Sequence, residues 1–159
     1  MCAKISGTML SCRNASVALS LVTLKNEKIA ECVAFCNDLV ELPYRGDWTI
    51  SKVLSHMGSL GCGPTDCAQP MLWAKEKNKK FDVFVIYTDN ETYFGNVHPY
   101  QALRDYRESS GIVDAKLVVV GMTATNFTIA DPEDAGMLDI VGFDSAVPTL
   151  LHDFVMGKI

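Results

Sequence analysis

Two segments, Asp82-Val-Phe-Val-Ile-Tyr87 and Ala115-Lys-Leu-Val-Val-Val120, carry apolar side chains at positions of both parities. A strand with one wet face alternates apolar and polar residues. A strand apolar on both faces must be covered on both, which places it inside a parallel sheet with helices above and below. The rest of the chain supplies such helices. Cys12 to Leu24 has Ala15, Ala18, Leu19 and Val22 at helical spacing. Thr49 to Met57 puts Ile50, Val53, Leu54 and Met57 on one face, with Asp47 or Thr49 as the N-cap. Asp66 to Lys77 reads as a further helix. His98-Pro99 opens another that runs to about Ser109, turns Leu103 and Tyr106 inward and stops at Gly111. Ser145 to Met156 closes the chain, with Pro148 tolerated only in its first turn. Ile29 to Phe35 and Leu39 to Leu42 read as a hairpin punctuated by Asn37-Asp38, and Met137 to Val141 as a short last strand. The alternation predicts one α/β domain over residues 1–159, three-layered, with a mostly parallel sheet and helices on both faces.

Composition excludes several function classes. Hydrophobic residues make up 48% of 159, so a core is expected rather than disorder. The net charge of −5 leaves no basic block for non-specific nucleic-acid binding. Lys75, Lys77, Lys79 and Lys80 read as a solvated helix end. No apolar run approaches the roughly 18 residues of a membrane span. Ala15 to Leu24 reads as a buried amphipathic helix and not as a signal peptide, since no small-residue cleavage site follows it. The cysteines are Cys2, Cys12, Cys32, Cys36, Cys62 and Cys67. Reduced structural thiols in a cytoplasmic protein are the expectation. Cys62 and Cys67 have four residues between them, not the two of a thioredoxin-type motif. Even spacing puts Cys32 and Cys36 on one strand face, among core groups.

The chemistry is expected where α/β sheets bind ligands, beyond the carboxyl ends of the strands. There the first apolar segment runs into Thr88-Asp89-Asn90-Glu91. Thr65 sits in a Gly-rich loop before a helix, where it also reads as an N-cap. Ser6 and Thr8 sit in the turn Ile5-Ser6-Gly7-Thr8-Met9. Hydroxyls and one carboxylate are hard oxygen donors of the kind Mg²⁺ accepts, with waters completing its octahedron.

In that order, Ser-x-Thr, then Thr, then Asp at a strand end, the set resembles the metal-ion-dependent adhesion site of von Willebrand factor A domains. More closely, the chain looks like the C-terminal von Willebrand A half of the Ro/SS-A ribonucleoprotein family. The segments carrying this are Gly63-Pro-Thr-Asp-Cys67, Asp82 to Thr92, Val97-His-Pro99, Phe127-Thr-Ile-Ala-Asp-Pro-Glu-Asp-Ala-Gly-Met-Leu-Asp139 and Gly142-Phe-Asp144. The resemblance spans nearly the whole chain and is most specific from about residue 60 onward. It implies a Rossmann-like three-layer fold and a divalent cation, Mg²⁺ or another, at Ser6, Thr8, Thr65 and Asp89. It also implies a protein partner whose acidic side chain completes the metal shell. For the family it implies small non-coding RNAs, Y RNAs and misfolded transcripts, bound mainly by a ring of helical repeats that is not in this chain.

Two departures bear on these expectations. The family's Asp-x-Ser-x-Ser pattern falls on Lys4-Ile5-Ser6-Gly7-Thr8, so an ammonium replaces the leading carboxylate. One like-charge contact costs about 4 kcal/mol at about 4 Å and an effective dielectric of about 20. Lys4 either turns into solvent or occupies the cation's place beside Asp89. Three residues precede Lys4, so the family's first strand is expected to be largely missing. The leading reading is a non-enzymatic binding module with a degenerate cation site. A metal-free assembly domain is the second. Phospho-acceptor chemistry at Asp89 lacks its acidic pair and its Lys, and His56, His98 and His152 form no triad. Asp131, Asp134 and Asp139 lack EF-hand spacing and read as a loop capping the sheet near its ligand edge.

Overall fold

The computed structural model describes residues 3–5, 7–35, 38–60, 65–89, 94–125 and 128–159. Its centre is a parallel sheet of β3 (Val83–Thr88), β4 (Lys116–Gly121) and β5 (Met137–Val141), in that order. Val83 lies opposite Lys116, and Leu117 opposite Met137. Both faces are covered. Phe84, Ile86, Leu117 and Val119 pack against α3 (Gln69–Glu76) and α4 (Pro99–Ser110) through Met71, Ala74, Leu103 and Tyr106. On the other face, Val118, Val120 and Ile140 meet α1 (Cys12–Asn26) and α5 (Val147–Val155) through Ala15, Leu19, Leu151 and Phe154. The apolar character at both parities is thus the consequence of two helical layers.

The hairpin is also present, as β1 (Cys32–Phe35) and β2 (Leu39–Leu42), antiparallel with Cys32 opposite Leu42. Among the described residues it forms a sheet of its own, apart from the parallel one. Its turn, with Cys36, lies outside the described residues. Cys32 and Leu42 pack with Val17, Leu21, Tyr44 and Val53, the last from α2 (Ile50–Met57). Before α1, the described residues hold only an isolated bridge between Lys4 and Ser11. No described helix is long and apolar enough to cross a membrane.

Local chemistry sets the helix ends. Ser11 Oγ accepts the Asn14 N–H at 3.2 Å and caps α1. Thr49, not Asp47, caps α2 by accepting the Lys52 N–H at 3.3 Å. His98 caps α4 through Nδ1, and Gly111 ends it at φ +77°, a left-handed conformation that favours glycine. Pro148 sits in the first turn of α5. Helix α3 starts three residues later than Asp66, the start expected from sequence, because the Asp66 carboxylate folds the chain into a turn first, accepting the Ala68 N–H at 3.0 Å. Thr65 is therefore not its N-cap.

One expectation is corrected. The loop with Asp131 and Asp134 caps the amino edge of the sheet, opposite the ligand edge. It runs directly into β5, and Gly136 O receives the N–H of Leu117 near the start of β4. Arg107, which grips Asp134, also donates to Ala115 O at 2.8 Å.

Candidate cation site at the carboxyl edge

Asp89 stands one residue past the end of β3, half-buried. Its backbone is clamped from the neighbouring strand. The Asp89 carbonyl accepts both the N–H of Thr123, at 2.9 Å, and the Thr123 hydroxyl, at 2.6 Å. The buried Thr88 hydroxyl lies 3.5 Å from Asp89 Oδ1. Thr123 was not among the residues expected from sequence. The signal for it is register: Thr88 pairs with Gly121, so the residues just beyond both strand ends must meet.

Thr8 is exposed; its hydroxyl donates to Ile5 O at 3.1 Å and accepts the Leu10 N–H at 3.2 Å. One lone pair remains for a cation. Ser6 lies outside the described residues. Lys4 is exposed, in keeping with a side chain turned into solvent. Thr65 is half-buried, and its carbonyl accepts the Phe94 N–H at 2.8 Å.

Two fully buried thiols report the electrostatics at Asp89. Burial pushes Cys67 up to about 12, and the carboxylates of Asp66 and Asp89 add to the shift. Burial also raises Cys12, and again the Asp89 carboxylate adds to it, against the opposing pull of the chain's amino group. Cys12 follows the Thr8 turn and Cys67 follows Thr65. The two hydroxyl-bearing segments thus converge on the field of one carboxylate. Cys12, Cys32 and Cys67 are free thiols.

The donors that fit a cation are Asp89, Thr8 and Thr65, all hard oxygens. Among the described residues no group of three or more His, Cys, Asp or Glu is placed to hold a metal. Three further aspartates are engaged elsewhere. Arg107 grips Asp134 at 2.5 and 3.2 Å, Arg104 reaches Asp131 at 2.5 Å, and Asp139 accepts the Ala130 N–H at 3.1 and 3.2 Å. The lysine run is likewise structural in part: Lys79 pairs with Glu31 at 2.5 Å and lies over the Trp73 ring.

A family model of the Ro60 vWA domain matches residues 1–155. The RNA-binding protein RO60 of Caenorhabditis elegans is 55% identical over 159 residues, all of this chain and 25% of that protein. The RNA-binding protein RO60 of Deinococcus radiodurans is 41% identical over 99% of this chain and 30% of its own length. The crystal structure of the Deinococcus radiodurans RO (RSR) protein superposes with a TM-score of 0.89 at 41% identity, covering 99% of this chain and 32% of that one. The chain therefore spans between a quarter and a third of the length of these relatives.

Proposed function

Because this chain belongs to the Ro60 vWA domain family, we propose that it is a non-enzymatic binding module of a Ro-type small-RNA ribonucleoprotein. It engages an acidic side chain of a protein partner through a divalent cation held at the carboxyl edge. Asp89 supplies the charge, while Thr8, Thr65 and Ser6 supply hydroxyls directly or through water. The cation, when bound, offers an open position to the partner's carboxylate. The observation that supports this reading is the convergence on Asp89, whose carboxylate acts on both Cys12 and Cys67. Small non-coding RNA belongs to the proposal at the level of the whole assembly, since the relatives are named RNA-binding proteins. With a net charge of −5, this chain contributes the protein-binding surface instead. A cytoplasmic location is part of the same reading and agrees with the free thiols.

A second reading, a metal-free assembly domain, is favoured by one observation: Lys4 stands where the family pattern has its leading Asp. Thermal unfolding with Mg²⁺ or Mn²⁺, and with EDTA, separates the two. A ligand binding only the folded state stabilises by about 2.7 kcal/mol at a hundred times its Kd. Metal is expected to raise the Tm, Asp89→Ala to abolish the rise, and Lys4→Asp to enlarge it. If neither the natural chain nor Lys4→Asp responds to metal while both unfold cooperatively, the cation reading is wrong and assembly is the function.

A further inference from the structure

Between α3 and the hairpin lies a groove of about 430 Å³, a size in the range of ligand pockets. Leu39 of β2 with Leu72 and Trp73 of α3 supply its apolar lining. Leu72 and Trp73 are half-buried against the core beneath α3. Trp73 is held from several directions. Phe81 stacks on its ring with centroids 6.0 Å apart, Lys79 Nζ lies 4.7 Å from its centroid, and its Nε1–H donates to Glu41 Oε1 at 3.2 Å. A wall fixed in this way is formed before any ligand arrives, which lowers the cost of binding.

The charge around this lining is one-sided. Asp38, Glu41 and Glu76 are exposed in the groove, and Lys77 is the one cation among its lining residues. Nearby Lys79 is already paired with Glu31, which does not line the groove. Asp38 and Glu76 make no ion pair among the described residues. Helix α3 ends at Glu76, and a helix C-terminus is the negative end of its dipole. An apolar lining under a negative rim disfavours phosphate groups and favours a cationic ligand. It also disfavours a second copy of this chain, whose net charge is −5.

We propose that this groove docks a basic segment of a partner polypeptide. A leucine-sized side chain of that segment sits on Leu39, Leu72 and Trp73, and lysines or arginines on either side of it face Asp38, Glu41 and Glu76. Apolar burial supplies most of the affinity, and the carboxylates select the partner and steer its approach. The groove shares no residue with the cation reading, which rests on Asp89, Thr8, Thr65 and Ser6.

Titration of the isotope-labelled chain with the synthetic peptide Arg-Arg-Leu-Arg-Arg tests this by NMR. EDTA is present throughout, so the outcome does not depend on the cation reading. The two indole N–H signals are the readout. Trp73 lines the groove, whereas Trp48 packs with Tyr44 and Val53 and serves as the reference. The expected result is a saturable one-to-one shift of the Trp73 signal while the Trp48 signal stays in place. A peptide with Gly in place of Leu should bind about tenfold or more weakly. The double variant Asp38→Asn, Glu76→Gln changes exposed side chains only, and an unmoved Trp48 signal checks that its fold is kept. It should bind the leucine peptide about fivefold more weakly. Equal affinity of the two peptides, equal affinity of the natural chain and the double variant, or a Trp73 signal that stays still at saturating peptide would each overturn the proposal. So would a Trp73 shift produced by raising the concentration of the chain alone, which would put a second copy in the groove.

Discussion

The two edges of the parallel sheet both carry aspartates and use them differently. At the amino edge, Asp131 and Asp134 are each matched to a nearby arginine. Arg107 holds the Asp134 carboxyl below its ordinary range, helped by the Gly136 N–H at 2.9 Å and opposed by partial burial. At the carboxyl edge, burial pushes up the thiols of Cys12 and Cys67, and the Asp89 carboxylate adds to both shifts, joined at Cys67 by Asp66. The first arrangement fixes a loop to α4. The second leaves a negative field at the place where an α/β sheet presents itself to ligands.

The largest expected effect breaks the amino edge. Arg107→Ala deletes a bidentate grip on Asp134 and the bond to Ala115 O, and leaves a largely buried carboxylate behind. Removing one partner of such a pair costs about 3 kcal/mol, measurable by urea unfolding. A pH dependence goes with it. The folded carboxyl of Asp134 is depressed, so its contribution is fully present above the unfolded value of about 3.9 and is lost as pH falls through the folded one. Arg107→Ala and Asp134→Asn should each flatten the fall in stability below about pH 4. A double-mutant cycle showing no coupling would mean that the loop is held by something else.

The carboxyl edge should show the opposite sign of pH dependence. Cys67 is pushed up to about 12, far above the roughly 8.5 of an unfolded thiol. Its contribution is intact below about pH 8.5 and falls as pH rises toward the folded value, with a limiting slope of about 1.4 kcal/mol per pH unit. Cys67→Ala should remove that slope in urea unfolding at alkaline pH, and alkylation of the natural chain should stay slow until it unfolds. An unchanged slope would place the alkaline transition on another group, such as Tyr87, which burial also raises to about 12.

How far the sequence reveals each region follows from what decides it. Apolar residues at both parities revealed β3 and β4 because two helical layers leave no wet face. Gly111 and Pro99 revealed the ends of α4 because backbone conformation is local. The start of α3 was hidden because Thr65 and Asp66 are both capping residues, and only geometry shows which one reaches Ala68. The separation of the hairpin from the parallel sheet was hidden too, since strand pairing is non-local. At the candidate site, Asp89, Thr65 and Thr8 stood out by chemistry and order. Thr123 and the two thiols depend on register and packing, and Ser6 falls outside the described residues.

A smaller effect sharpens the carboxyl edge. Asp89→Asn removes the charge while leaving the Thr123 bonds, which go to the backbone carbonyl. Stability at neutral pH without metal should change by about 1 kcal/mol or less. The thiols of Cys12 and Cys67 should titrate at lower pH, since one cause of their shift is gone. Thiol titration that does not move would mean that burial alone sets it, and the field ascribed to Asp89 would lose its support.

The smallest effect belongs to the second ion pair of the amino edge. Arg104 and Asp131 lie 2.5 Å apart, as close as Arg107 and Asp134, but the Arg104 side chain is 45% exposed where Arg107 is 14% exposed. Water competes for an exposed guanidinium and screens its attraction, so equal distance does not mean equal energy. Arg104→Ala should cost about 0.5 kcal/mol or less, and that cost should vanish in high salt, whereas the Arg107→Ala cost should largely persist. Equal losses for the two variants would show that the amino-edge loop draws on both arginines as one network, and the contrast between the edges would then rest on the number of charges and not on their burial.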